Sequence, residues 1–293
     1  MNQEHNHKKE NIKKLWFVLI LTAVYMLAEF AGGYISNSLA LMADAAHMLS
    51  DAAALGLSIF AVWLSMKPAT FERTFGYHRT EIFAAFINGL MLIVIAGFII
   101  YEAIQRVVNP PDINAPILIF VALGGLIINF IAAWLLNSAS GDSLNIKGAY
   151  LHVLGDMLGS LGAIIAGLAI YFFDLHILDP IISFVISGLI LFSAVRLVSE
   201  AVDILLEASP AGINVENIHK ALLNLPDVNE VHHLHVWSIT SGKISLSVHI
   251  VTSSSDFQHI LLSAQKLLKK DFNIDHVTIQ VEPVNFHDGE ANF

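Results

Sequence analysis

Residues 39–66 read LALMADAAHMLSDAAALGLSIFAVWLSM, an apolar stretch that carries a histidine and an aspartate four positions apart. These two residues are His47 and Asp51, and residues at positions i and i+4 of an α-helix lie on one face, about one turn apart. The stretch exceeds the roughly 20 residues that a helix needs to cross the hydrocarbon core of a bilayer. It therefore predicts a membrane-spanning helix with an imidazole and a carboxylate on the same face.

The same pair occurs a second time, as His152 and Asp156, within another apolar stretch at 146–173. A single histidine or aspartate in a span is explained equally well by a hydrogen bond between helices, but a repeated pair favours a metal site, since ionisable residues inside a membrane are costly and usually functional. Two such helices packed face to face supply two nitrogen and two oxygen ligands. This set suits zinc and its neighbours better than magnesium or calcium, which prefer oxygen ligands alone.

Composition indicates the class of protein. Hydrophobic residues make up 55% of the 293 residues and charged residues only 14%, against about 25% charged residues in an average soluble chain. The chain is therefore predicted to be a membrane protein. It contains no cysteine, which excludes disulfides and thiolate ligands, so a metal site has to use histidine, carboxylate or backbone groups.

Six apolar stretches are long enough to span a bilayer. They cover approximately residues 15–34, 39–66, 82–101, 116–136, 146–173 and 178–197. Lysine and arginine concentrate before the first stretch, in the second-to-third and fourth-to-fifth connections and at the end of the sixth, whereas the opposite connections carry only Arg106. The positive-inside rule then places both termini in the cytoplasm. We expect a cytoplasmic tail at 1–14 and a multi-pass, six-helix membrane domain at 15–200.

Residues 204–293 mix polar and apolar positions as soluble domains do. Their patterns predict the order helix, strand, strand, helix, strand, with a hairpin turn at Ser241 and Gly242 and an N-cap at Asp256. The predicted elements are a helix at 214–224, strands at 231–240 and 243–252, a helix at 256–270 and a strand at 276–282. A three-stranded sheet with two helices on one face gives a compact cytoplasmic α+β domain. The chain has no nucleotide-binding or DNA-binding motif.

Four stretches resemble the cation diffusion facilitator family, and more closely its bacterial zinc, cobalt and cadmium exporters. They are SNSLALMADAAHMLSD at 36–51, FGYHRTE at 75–81, NIKGAYLHVLGD at 145–156 and VHHLHVW at 231–237. The resemblance covers nearly the whole chain in order. It implies a homodimeric, proton-coupled exporter in the inner membrane, with a metallochaperone-like cytoplasmic domain. In this family, a histidine at the position of His47 goes with zinc rather than with manganese or iron.

The resemblance also indicates a second, regulatory or structural metal site in the cytoplasmic domain. His232, His249, His259 and Glu282 match positions that bind metal in some members, whereas Gln280 stands where some members have another histidine. The alternative is that these histidines are simply exposed or hydrogen-bonded on their strands.

Charge explains how the site predicted between the second and fifth spans would transport metal. Asp51 and Asp156 bring two negative charges, so a site holding a bound dication is close to neutral and tolerable at membrane depth. When the metal leaves, the carboxylates and imidazoles take up protons, because metal and protons compete for the same lone pairs. We expect the protein to exchange Zn²⁺ for protons. The sequence does not rank Zn²⁺ against Cd²⁺, Co²⁺ and Ni²⁺ as transported ions. Asp44 lies on the same helical face as His47 and is expected to be a ligand itself, to orient a ligand or to pass protons. The alternative is that it only makes a structural polar contact.

Opposite charges at the ends of two spans predict a link between the domains. Arg79 and Glu207, at the cytoplasmic ends of the third and sixth spans, are predicted to form an ion pair that links the membrane and cytoplasmic domains. Metal ion, protons, membrane lipid and a second copy of the chain are the expected partners, with no nucleic acid.

A metalloenzyme would keep an open coordination position, which four protein ligands do not leave. The remaining alternative is a membrane metal sensor without net transport.

Overall fold

The computed structural model describes residues 20–65, 67–137, 144–240 and 242–285. The predicted tail at 1–14 lies outside these ranges. Asp51 and His152 lie in described helices, but their side chains are outside the described part of the structure.

The chain divides into two compact units. One contains the residues up to Gly56 together with Ile87–Leu197, and the other contains Leu57–Phe86 together with Val198–Phe293. The first unit holds most of the apolar helices. The second contains the cytoplasmic domain and the connection between the second and third apolar helices.

Six apolar helices precede the cytoplasmic domain in the described chain. They are α1 Ile20–Ser36, α2 Leu39–Ser65, α3 Thr80–Val108, α4 Ala115–Asn137, α5 Leu144–Phe173 and α6 Leu178–Leu205. Within the described residues, α3 to α6 are long and apolar enough to cross a membrane. The apolar parts described for α1 and α2, Ile20–Ser36 and Leu39–Ser50, are shorter, so the total of six spans stays a prediction.

Helix α2 contacts different helices in the first unit through different side chains. Leu41 packs into a buried cluster formed by α4 and α5, which includes Leu118 and Ala163. Leu39 and Ala43 pack instead with Ile99 and Ala103 of α3. The α2 segment that carries His47 is therefore held between α3 on one side and the α4 and α5 pair on the other.

A carboxylate of α6 caps the start of α2. Oδ2 of Asp179 accepts the backbone N–H of Leu39 at 2.8 Å, and Oδ1 accepts the hydroxyl of Ser38 at 2.5 Å and the N–H of Ala40 at 3.3 Å. Asp179 is fully buried. The first N–H groups of a helix have no partner within the helix, so this contact satisfies α2 and ties it to α6.

The cytoplasmic domain follows the predicted order of elements. Its elements are α7 Val215–Leu223, β1 Val228–Thr240, β2 Lys243–Thr252, α8 Phe257–Phe272 and β3 His276–Pro283. The sheet order is β1-β2-β3, with β1 and β2 antiparallel and β2 and β3 parallel. Asp256 caps α8 as predicted, because its side chain accepts the N–H of His259 at 3.0 Å.

One face of the sheet forms the core of the cytoplasmic domain. Alternate residues of β2, Leu246, Val248 and Ile250, are buried in one cluster with Leu222 of α7 and Leu268 of α8. Because successive side chains of a strand point to opposite faces, the intervening residues of β2 lie on the face away from this cluster. His249 is one of them.

Candidate metal centres

The first candidate site joins α2 to α5. Nε2 of His47 lies 4.0 Å from Oδ1 of Asp156. Two donor atoms on one tetrahedral zinc ion, each about 2.0–2.1 Å from the metal, lie about 3.3 Å apart. A small side-chain rotation would therefore bring both atoms into a shared coordination sphere. The structure thus brings together one member of each histidine and aspartate pair.

Both side chains line one cavity in the first unit. The cavity has a volume of about 500 Å³, and Asp44 also lines it, whereas the rest of its wall comes from α5 and from mostly apolar residues of α6. Asp156 is 7% exposed and Asp44 is 5% exposed. Carboxylates so deeply buried need hydrogen bonds or compensating charge, and a dication in this cavity would add positive charge beside both of them.

Asp44 lies against α5 at a glycine. A β-carbon added at Gly159 would stand only 3.2 Å from Oδ1 of Asp44, so the absence of a side chain at Gly159 lets the carboxylate approach the helix backbone. Asp44 is therefore beside the candidate ligands, one turn before His47 on α2. Its predicted part in orienting a ligand or passing protons stays a prediction.

The other two predicted ligands are placed only by their helices. Asp51 lies four residues after His47 on α2, and His152 lies four residues before Asp156 on α5. Since their side chains are outside the described part of the structure, the complete set of four ligands stays a prediction.

The second candidate site lies in the cytoplasmic domain, on the face of the sheet away from the core. Nδ1 of His249 lies 2.7 Å from Oε1 of Glu282, and Nε2 of His232 lies 3.2 Å from Oε2 of the same carboxylate. The three ligand atoms all lie within 4.8 Å of one another. Gln280 supports this arrangement, because its side-chain amide donates to Oε1 of Glu282 at 2.9 Å.

The strand register explains how these residues meet. His232 and His249 are directly paired across β1 and β2, and His249 is paired with Gln280 of β3. Paired residues share a face of the sheet, and Glu282 lies two positions beyond Gln280 on that face. His259, the fourth predicted ligand, is exposed on α8 and is not in the group of three that the described residues form. Its part in the site stays a prediction.

Within the second unit, two polar contacts join residues near the start of α3 to other parts of the chain. One partner lies in the segment after α6, and the other lies in β1 of the cytoplasmic domain. Nη2 of Arg79 lies 2.6 Å from Oε1 of Glu207, so the structure brings the predicted partners together. Glu207 has a φ of 60° just beyond the end of α6, a left-handed conformation common where helices end. The hydroxyl of Thr240 also donates to Oε2 of Glu81 at 2.8 Å. Sequence reasoning missed this contact, which joins residues 159 positions apart.

Reversing the charge of either partner, by Arg79→Glu or by Glu207→Arg, is expected to lower thermal stability, and the double reversal is expected to restore it. The effect should be modest, about 0.2–1 kcal/mol, because the two side chains are 43% and 58% exposed. A double-mutant cycle on melting temperature measures the coupling. A double variant no better than the singles would show that the pair contributes nothing.

Comparison with known proteins finds related sequences along the whole chain. The family described as the cation efflux transmembrane domain matches residues 15–206, and the cytoplasmic domain of cation efflux proteins matches residues 210–284. The zinc transporter ZitB of Pectobacterium atrosepticum is 41% identical over 297 residues, covering 100% of this chain and 92% of that protein.

Two further proteins are similar to this chain. The cadmium, cobalt and zinc/H(+)-K(+) antiporter of Bacillus subtilis is 41% identical over 285 residues, covering 95% of this chain and 91% of that protein. A solved structure, the metal-bound C-terminal domain of the CzcD transporter from Cuprividus metallidurans, is 38% identical and covers 24% of this chain and 99% of that one, with a TM-score of 0.23. A TM-score this low leaves the structural likeness without weight.

Proposed function

Since the chain belongs to the cation efflux family, the cation diffusion facilitators of the bacterial zinc, cobalt and cadmium exporter type, we propose that it exports Zn²⁺ from the cytoplasm in exchange for protons. It is a multi-pass protein of the inner membrane. The proposed ligands are His47, Asp51, His152 and Asp156. Both termini are proposed to be cytoplasmic.

The observation that carries this proposal is the approach of His47 to Asp156 across two apolar helices, 4.0 Å apart at their ligand atoms. Both residues line a cavity with a second acidic residue, Asp44. A bare dication is prohibitively costly in an apolar environment, but two carboxylate ligands neutralise its charge. Imidazole nitrogen together with carboxylate oxygen favours zinc over magnesium and calcium.

Proton exchange follows from the same ligands. Once the metal has left, neighbouring carboxylates that share a small cavity repel each other, which favours their protonation. Imidazole also takes up protons close to neutral pH. The site therefore returns with protons in place of the metal, and each cycle moves the two kinds of cation in opposite directions.

Proton coupling predicts a pH change during transport. In proteoliposomes with a pH-sensitive dye in the lumen, entry of Zn²⁺ is expected to raise luminal pH, because protons leave as the metal enters. An ionophore-treated sample and protein-free liposomes give the baseline. Zinc flux of normal rate with a constant luminal pH would contradict the exchange mechanism, and no zinc flux at all would contradict transport and favour a metal sensor.

We also propose that the protein is a homodimer and that His232, His249 and Glu282 hold a regulatory or structural metal ion in the cytoplasmic domain. The match of residues 210–284 to the cytoplasmic domain of cation efflux proteins supports a separate functional module there. The mutual spacing of the three ligand atoms, within 4.8 Å, supports a shared ion. Three protein ligands leave one position of a tetrahedral shell to be filled.

A further inference from the structure

A β-bulge interrupts β1 beside the cytoplasmic metal site. His232 is paired with His249 and His235 with Ser247, so three steps along β1 correspond to only two along β2. The extra residue lies between His232 and His235, and bulges of this kind re-aim side chains and recur next to functional sites.

His233 occupies this bulge in an unusual backbone conformation. Its φ is 48°, in the left-handed region that residues with a β-carbon adopt infrequently. Of the non-glycine residues with positive φ in the described chain, His233 alone lies within a strand. Strained backbone of this type concentrates at functional sites.

The bulge places the side chains of His233 and the adjacent His232 on the same face of the sheet. Successive residues of a regular strand point to opposite faces, but the ring centroids of His232 and His233 are only 5.0 Å apart. The centroid of His233 is also 5.1 Å from that of His249, and His232 and His249 are 5.1 Å apart. The three imidazoles thus form a nearly equilateral triangle.

These distances match three imidazoles around one metal ion. A nitrogen ligand lies about 2.0–2.1 Å from a tetrahedral zinc ion, which puts each ring centroid about 3.2 Å from the metal and any two centroids about 5.2 Å apart. The observed separations of 5.0 to 5.1 Å are close to this value. His233 is exposed and, like His259, lies outside the group of three residues whose ligand atoms are within 4.8 Å of one another, so its ring has to turn before a nitrogen reaches a shared ion.

From this geometry we infer that His233, in place of the predicted His259, is the fourth ligand of the cytoplasmic site, which becomes a three-histidine, one-carboxylate site with Glu282. The inference rests on the proposed metal site of His232, His249 and Glu282. Three imidazoles and one carboxylate suit a borderline dication such as Zn²⁺ or Co²⁺ rather than magnesium or calcium. With four protein ligands the site is closed to water, as structural zinc sites are.

The test uses the full-length protein carrying Asp156→Asn, which disables the proposed transport site, and measures Zn²⁺ affinity by competition with a chromophoric chelator. His233→Asn removes the imidazole but keeps a residue that tolerates left-handed backbone. We expect it to weaken binding at the cytoplasmic site about 10- to 100-fold. With Co²⁺ as the probe, the intense visible bands of a four-coordinate ion should weaken as well.

His235→Asn is the matched control, because it removes an exposed imidazole three positions from His232 on the same strand. The ring centroid of His235 is 6.5 Å from that of His233. It should change Zn²⁺ affinity less than about twofold. Unchanged affinity in His233→Asn overturns the inference, and so does an equal loss in both variants. Lower metal-free melting temperature in His233→Asn with unchanged affinity also overturns it, because it would assign His233 a backbone role only.

Two more variants separate this inference from the proposed site on which it rests. His232→Ala and His249→Ala are both expected to weaken Zn²⁺ binding. If neither weakens binding, the proposed cytoplasmic site is wrong and the inference is wrong with it. If both weaken binding while His233→Asn does not, the proposed site stands with three protein ligands, and only the role inferred for His233 is wrong.

Discussion

Asp156→Asn is expected to reduce zinc flux into proteoliposomes by about 10²- to 10⁴-fold. The substitution preserves the shape of the side chain but removes one of the two carboxylate charges proposed to balance the dication. Leaving a buried charge without its partner costs about 3–5 kcal/mol. Zn²⁺ affinity then falls about 10²- to 10⁴-fold, and flux measured below saturating Zn²⁺ falls in proportion. The residue is 7% exposed, so water compensates little of the missing charge.

The matched control for this prediction is Asp174→Asn, the same chemical change just after the end of α5. Asp174 has a side chain that is 93% exposed, and asparagine tolerates its left-handed φ of 58°. Its flux should equal that of the unmodified protein. Flux by Asp156→Asn within about threefold of the unmodified rate, under 1 kcal/mol, would remove Asp156 from the transport site. Equal melting temperatures of the two variants would show that lost flux does not reflect unfolding.

Asp179→Ala is expected to cause the largest loss of stability. The carboxylate receives two backbone N–H groups and one hydroxyl at the start of α2, and it is fully buried. Removing it leaves these donors without an acceptor where water does not replace it, at a cost of about 3–5 kcal/mol. For a chain of this size that cost corresponds to about 10 °C in melting temperature.

The melting temperature in detergent, followed by tryptophan fluorescence, measures this loss. Asp203→Ala removes a carboxylate from the same helix at an exposed position and should shift the melting temperature by only about 1–2 °C. Asp179→Asn keeps one oxygen acceptor and should fall between the two. A melting temperature of Asp179→Ala equal to that of Asp203→Ala would show that the buried cap does not stabilise the first unit.

The elements of this protein were predictable because their signals are local. Apolar length indicated the spans, and a four-residue spacing indicated the two ligand pairs. Alternation and turn residues indicated the order of the cytoplasmic domain, where β2 was predicted with the bounds that the structure shows, residues 243–252. Helix ends were less accurate, since α3 continues to Val108, seven residues past the predicted end of its span. A helix continues into the polar interface without a change in the apolar signal that defines the span.

Contacts between residues far apart in the sequence were harder to predict. Asp179 received no role from the sequence, because nothing local indicates that its carboxylate caps a helix that begins 140 residues earlier. Likewise, Thr240 and Glu81 lie in different elements, and no local pattern around either residue indicates the other as its partner. Arg79 and Glu207 could be paired in advance because they carry opposite charges at the cytoplasmic ends of two predicted spans.

By itself, the sequence determined which residue types carry the chemistry and on which helices or strands they lie, because helical and strand periodicity depend on neighbours a few positions away. Only the tertiary structure decided that His47 approaches Asp156, that Asp44 shares their cavity, and that His233 joins His232 on one face of the sheet. These outcomes depend on helix packing and strand register, which are set by the summed burial of many side chains rather than by any local signal.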